Sequence, residues 1–272
     1  MDLIPGRYLL TLGVVVGWSA CALGVSRDIP HGTLHNEAYH SGTLSMERRL
    51  CVYTPPGYEQ DAAHSYPALY LLHGWGNDEK AWVTLGGVDR SLDKLLAQGK
   101  AKPMILVMPL GHAEFPNIPP RPDGRPPTSS EALDGDMFND MIPFVEGRYR
   151  IEQSAQSRAI AGVSMGGRQA LFIGLNHPEM FKWVAGFSAA IRDRVFDDDY
   201  QDISEDPQHE TKDTRLIWLG CGRDDGCFQA NWQFHEWLEA RGISHVWHPS
   251  AGGHEWGVWR DYLVQILPLL FN

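Results

Sequence analysis

Ser164, Asp225 and His254 are the residues around which chemistry can be built in this chain. Ser164 stands in Gly162-Val163-Ser164-Met165-Gly166. The apolar run Ala159-Ile160-Ala161 precedes it, and Gly167-Arg168-Gln169-Ala170-Leu171-Phe172-Ile173, which reads as helix, follows. Strand, G-x-S-x-G and helix make a nucleophile elbow, a turn that holds a serine hydroxyl clear of a sheet. Side chains two residues either side of the serine would collide there, which accounts for Gly162 and Gly166. The Met165 N–H, at the helix start, points into the same space.

A serine nucleophile needs a base, a group that orients the base, and donors for the oxyanion. Of the 12 histidines, His254 alone follows a late strand and lies in a Gly-rich loop, Ala251-Gly252-Gly253-His254-Glu255-Trp256. It is the candidate base, whereas His31, His177 and His209 read as solvated. The orienting acid is Asp224 or Asp225, adjacent residues after the apolar run Leu216-Ile217-Trp218-Leu219-Gly220. Only one of them can aim at His254. The loop His73-Gly74-Trp75-Gly76 ends another apolar run, Ala68-Leu69-Tyr70-Leu71-Leu72. It is expected to supply the Trp75 N–H as the second oxyanion donor beside Met165. His73 is expected to hold that loop from behind rather than to act as a second base. Such a set performs acyl transfer through an acyl-enzyme, and the chain order serine, aspartate, histidine is that of α/β-hydrolases.

Positioning these groups requires a sheet whose strands end at one edge. The runs at 68–72, 104–108, 159–161, 183–187 and 216–220 are continuously apolar, as strands buried on both faces are. Helical spacing appears at 91–99, at 131–149 with an interruption near Pro143, after the elbow, at 231–241 and at 262–270. A last strand is expected at 244–248. Strands alternate with helices, so the fold class is α/β: a doubly wound, mostly parallel sheet. Residues 31–40 and 47–53 add an antiparallel hairpin at its edge. The acidic stretch 192–213, including Asp197-Asp198-Asp199, reads as a solvated loop.

With 272 residues and 43% hydrophobic content, one large-cored domain is expected over 31–272. The net charge of −11 argues against nucleic acid and anionic membrane surfaces as partners. No His/Cys spacing of a zinc site occurs, and neither a metal nor another cofactor is expected. Residues 8–18 are apolar over about the length of a signal-peptide core and too short to span a bilayer. Ala20-Cys21-Ala22 fits a cleavage site, so residues 1–22 read as a signal peptide and the mature chain as secreted or periplasmic. Trp18-Ser19-Ala20-Cys21 also resembles a lipobox, which would give a lipid anchor at Cys21 as the one membrane link. An uncleaved cytoplasmic enzyme is the alternative. Cys221 and Cys227 bracket a short loop and are a candidate disulfide in an oxidising compartment.

Tyr53-Thr54-Pro55-Pro56-Gly57-Tyr58, Tyr66-Pro67-Ala68-Leu69-Tyr70-Leu71-Leu72-His73-Gly74, Gly162-Val163-Ser164-Met165-Gly166-Gly167 and Gly252-Gly253-His254-Glu255-Trp256 together resemble the esterase D / feruloyl esterase family of carbohydrate esterases. The resemblance covers about Thr33 to Phe271. It implies an α/β-hydrolase fold, serine ester hydrolysis without a metal, and an acid at the last position of Gly222-Arg223-Asp224-Asp225, which selects Asp225. The implied substrate is a feruloyl or acetyl ester of carbohydrate. S-formylglutathione hydrolysis, acyl transfer and siderophore ester hydrolysis share the same scaffold. The Pro-rich stretch 112–130, with Phe115 and Ile118, together with Trp75 and Trp256, is the expected substrate surface. Arg121 and Arg125 are that stretch's only cations for an anionic ester. Oligomeric state is not readable.

Overall fold

The computed structural model describes residues 29–112, 124, 128–191 and 196–272. The N-terminal segment with Cys21, and Phe115, Ile118, Arg121 and Arg125, lie outside the described residues. Among the described residues one eight-stranded sheet runs in the order β1-β2-β4-β3-β5-β6-β7-β8. Its strands are β1 (Thr33–Ser41), β2 (Met46–Thr54), β3 (Ala68–Leu72), β4 (Ile105–Pro109), β5 (Arg158–Val163), β6 (Trp183–Phe187), β7 (Leu216–Gly222) and β8 (Val246–Ser250). β1 pairs with β2, and β2 with β4, in antiparallel fashion. Every pairing from β4 to β8 is parallel. The expected sheet and edge hairpin are therefore both present.

The helices are α1 (Ala81–Thr84), α2 (Val88–Ala97), α3 (Ser129–Asp136), α4 (Ile142–Arg148), α5 (Met165–Asn176), α6 (Phe196–Asp199), α7 (Gln201–Glu205), α8 (Pro207–Thr211), α9 (Phe228–Ala240) and α10 (Trp256–Ile266). They cover both faces, which is why the central strands carry no polar alternation. Tyr70 and Leu72 join a core with residues of α3, α4, α5 and α9. Leu69 and Leu71 point the other way, into a core with α1, α2 and α10. This period-two division of one strand between two cores fixes the sheet in the middle of the molecule.

Two expectations about elements need correction. The acidic stretch holds α6, α7 and α8 rather than a loop, because Tyr200 and Ile203 share a face and are buried at 2% and 1% exposure. The expected interruption near Pro143 is present as a π-helical turn at Met137–Met141, directly before α4, in whose first turn Pro143 sits. The C-terminal helix begins at Trp256 instead of near Tyr262. Two residues after His254, the chain is therefore already helical, which restricts how far the His254 loop can move.

Candidate active site

Ser164 joins the end of β5 to the start of α5 with φ 54° and ψ −116°. A positive φ on a non-glycine residue is strained and persists only where the surroundings enforce it. Here Ser164 N–H donates to Phe187 O at 2.9 Å, and Ser164 O accepts from Arg168 at 3.0 Å and Ala190 at 2.9 Å. The flanking glycines are required by space. A Cβ on Gly162 would lie 2.4 Å from Gly166 O, and one on Gly166 would lie 2.5 Å from His73 O. The elbow thus packs directly on the turn that follows β3.

His254 Nε2 lies 2.9 Å from Ser164 Oγ. Its Nδ1 lies 3.0 and 2.9 Å from the two oxygens of Asp225. With Nδ1–H donated to the carboxylate, Nε2 is left as an acceptor for the serine proton. The Trp259 ring stands edge-on to the imidazole, 4.9 Å between centroids. The side chain of Asp225 is fully buried and that of His254 is 37% exposed, so the carboxylate is shielded while the imidazole is open to solvent. Asp225, not Asp224, is the carboxylate that meets His254. Asp225 N–H closes a turn on Gly222 O at 3.1 Å, and Cys227 N–H donates to Asp225 Oδ1 at 2.7 Å. Asp224 stays exposed.

The electrostatics follow from these contacts. Burial acts to raise the Asp225 carboxyl, but hydrogen bonds from His254, the Cys227 N–H and Ser188 outweigh it and hold the group below its ordinary value. The Asp225 hydrogen bond, joined by the Cys227 side chain, holds His254 above the ordinary imidazole value. The two shifts run in opposite directions, favouring the ionised carboxylate and strengthening the imidazole as a proton acceptor.

The oxyanion side is equally constrained. Met165 opens α5, so its N–H has no acceptor within the helix. His73 is buried and accepts the Gly111 N–H at Nε2, 2.8 Å, which leaves the proton on Nδ1. Nδ1–H donates to Gly74 O at 2.8 Å. In a trans peptide the carbonyl and the following N–H point in opposite directions, so the Trp75 N–H faces away from His73. Gly74 lies against the nucleophile, since a Cβ there would be 3.4 Å from Ser164 Cβ. Gln169 Nε2 donates to Gly111 O at 3.0 Å and ties this turn to α5. Burial lowers His73 from its ordinary value, as suits a neutral structural imidazole. The buried guanidinium of Arg48 donates to the carbonyls of Leu110 and His112 and pairs with Asp136 at 3.3 Å, so the strand end behind His73 is itself clamped.

The two tryptophans divide. Trp75 is 79% exposed and meets the His112 ring edge-on, with centroids 5.0 Å apart. Trp256 packs on Trp82 at 5.1 Å and Trp259 at 5.3 Å against the α1–α2–α10 core. It is half-buried there and supports the His254 loop from the core side. Cys221 and Cys227 are free thiols. Cys221 is buried in β7 and contacts Ser188, whereas Cys227 faces His254, so the candidate disulfide is not made in this structure. His177 is not simply solvated, pairing with Asp134 at 2.8 Å. Ser188 stands in no motif that marks it in the sequence. It follows β6 with φ 46°, touches Asp225 and accepts the Trp259 indole N–H at 3.0 Å. A cavity of about 530 Å³ opens at the amino end of the strands, between Lys102, Glu152, Trp183 and Arg215, and touches none of these groups.

The Esterase family model matches residues 41–270. An endo-1,4-beta-xylanase/feruloyl esterase of Xylanibacter ruminicola is 30% identical over 253 residues, 90% of this chain but 32% of that protein. An acetyl esterase of Caldicellulosiruptor saccharolyticus is 26% identical over 72% of this chain and 79% of its own length. The chain therefore spans about a third of the first relative and most of the second. A solved ferulic acid esterase superposes with a TM-score of 0.75 at 28% identity, covering 88% of this chain and 98% of the other. With an elbow serine, a facing histidine and an acid in hydrolase order, the chain belongs to the Esterase family.

Proposed function

We propose that this chain is a serine carboxylic-ester hydrolase acting on feruloyl or acetyl esters of carbohydrate, and that the observation carrying this is the hydrogen-bonded line Ser164–His254–Asp225 on a strained elbow. His254 Nε2 takes the Ser164 proton as Oγ attacks the ester carbonyl. The Met165 and Trp75 N–H groups hold the oxyanion of the tetrahedral intermediate. His254 then returns the proton to the leaving alcohol, and an acyl-Ser164 ester remains. Water, activated by the same imidazole, releases the acid.

Three observations support the substrate class. The exposed Trp75 indole, carried by the oxyanion turn, offers a flat face to an aromatic acyl group or a sugar ring. The net charge of −11 disfavours an anionic ester such as S-formylglutathione. The relatives named feruloyl esterase and acetyl esterase point the same way. The same reading puts the enzyme outside the cytoplasm, supported by the apolar segment 8–18 and the small residues after it.

The test is an ester panel containing methyl ferulate, acetylated xylan, p-nitrophenyl acetate and S-formylglutathione, with fluorophosphonate labelling alongside. Turnover of the first three with little of the fourth is expected, together with one label on Ser164. Efficient S-formylglutathione turnover with none of methyl ferulate or acetylated xylan would refute the substrate class. An unlabelled protein would refute the nucleophile.

A further inference from the structure

Cys227 neither forms a bond to the substrate nor transfers a proton in ester hydrolysis, yet its thiol adjoins His254. It is half-buried, carries a free thiol and caps the start of α9. Its backbone N–H is held on Asp225 Oδ1 at 2.7 Å, which limits where Sγ can go. Sγ, a carboxylate oxygen of Asp225 and a ring nitrogen of His254 all lie within 4.8 Å of one another. The nitrogen on this side is Nδ1, 2.9 Å from Asp225 Oδ2. Thiolate, imidazole and carboxylate form a donor set suited to a borderline-soft divalent cation such as Zn²⁺. A tetrahedral site with bonds of about 2.0–2.3 Å spaces its donors roughly 3.3–3.8 Å apart. The Cys227 sulfur therefore needs to approach by no more than about an ångström, while Asp225 Oδ2 and His254 Nδ1, 2.9 Å apart, part by roughly 0.4 Å. The His254 side chain, 37% exposed, leaves the cluster open to solvent.

We propose that Asp225, Cys227 and His254 form an inhibitory site for a thiophilic divalent cation of the zinc type; this rests on the reading of His254 as the base. On binding, the Cys227 thiol releases its proton to solvent and a sulfur–metal bond forms. His254 gives its Nδ1 lone pair to the cation, and the proton that Nδ1 carried is replaced by one on Nε2. Nothing is oxidised or reduced. In that tautomer Nε2–H donates to Ser164 Oγ and cannot accept its proton, so turnover stops while the fold and the substrate surface stay as they were. Asp225, the group that normally selects the working tautomer, becomes a ligand in the site that selects against it.

The test uses the intact enzyme, C227S and C227A, each titrated with zinc chloride, measured against its own metal-free rate and then treated with EDTA. Cadmium chloride supplies a readout that needs no turnover, the ultraviolet charge-transfer band of a cadmium–thiolate bond. Inhibition of the parent enzyme, reversed by EDTA, is expected. Both variants should require at least about tenfold more zinc, the lower end of what even an outer-sphere partner contributes to metal affinity. The cadmium band should appear in the parent enzyme and vanish in C227S. Equal zinc sensitivity of all three proteins, or no cadmium band in the parent, would overturn the proposal. Failure of the esterase reading is distinguishable, because it would show as no turnover before any metal is added while the cadmium band still reports on the cluster.

Discussion

Replacing Asp225 by Asn separates charge from shape at the acid. Asp225 Oδ1 accepts the Cys227 N–H at 2.7 Å, so an amide placed there keeps its oxygen on that N–H. Its NH₂ then occupies the Oδ2 position, 2.9 Å from His254 Nδ1. A donor now faces a donor. The imidazole resolves this by moving its proton to Nε2, where it can no longer accept from Ser164. By analogy with other triads the cost in kcat is on the order of ten-thousandfold, about 5.4 kcal/mol of barrier at 1.36 kcal/mol per factor of ten. The pH profile gives a second readout. Asp225 raises the His254 pKa above its ordinary value, and the neutral imidazole is the active form. Activity therefore falls as pH drops through that raised pKa, and in D225N the residual activity should persist to lower pH. Thermal unfolding should change little, since the Cys227 contact survives. Asp224, exposed at the loop surface, supplies the control. Steady-state rates on p-nitrophenyl acetate across pH, for D225N and D224N, decide the matter. A larger loss in D224N, or an unshifted acidic limb in D225N, would refute the assignment of the acid.

Other expectations follow from the same geometry. His73→Leu removes the donor that turns the Gly74 carbonyl, so kcat should fall by up to about 10²–10³-fold with KM nearly unchanged, the range for loss of one oxyanion donor; steady-state kinetics on methyl ferulate check this, and a pure KM effect would count against it. Gly166→Ala puts a Cβ 2.5 Å from His73 O and 2.7 Å from the Leu72 carbonyl carbon; overpacking against backbone should lower stability by about 1–3 kcal/mol or more, read as a drop in Tm. Trp75→Ala should leave Tm unaltered, because the side chain is 79% exposed. Its KM for methyl ferulate should rise about 2- to 12-fold, the equivalent of a ring-stacking energy of about 0.5–1.5 kcal/mol, with kcat little changed.

Much of the sheet was legible because its chemistry is local. Five strands buried on both faces are five uninterrupted apolar runs, and the elbow needs only strand, two glycines, serine and helix in a dozen residues. His254 was found by its Gly-rich loop and its place after a late strand. The choice of Asp225 over Asp224 came from family resemblance alone. Its physical reason is a turn on Gly222 and the Cys227 N–H, which no spacing expresses. The packing of Trp256 was not legible because it depends on where α10 begins, and a helix start at Trp256 swings the indole onto Trp82. Ser188, Gln169 and Arg48 were invisible for a related reason: Gln169 meets Gly111 and Arg48 meets Leu110 and His112 only after four strands have been laid side by side. The acidic stretch was misread because charge dominates its composition, while two buried residues three apart, Tyr200 and Ile203, are enough to seat short helices.

The central claim is that Ser164 is the nucleophile whose loss ends ester hydrolysis. The measurement that tests it most directly is kcat of Ser164→Ala on methyl ferulate, with the fold verified by its unfolding transition. Removing Oγ leaves His254, Asp225 and the oxyanion donors in place but nothing to carry the acyl group, so a loss on the order of a millionfold is predicted, as in comparable triads. A Ser164→Ala protein, folded and free of contaminating esterase, that kept most of the parent rate would contradict the account.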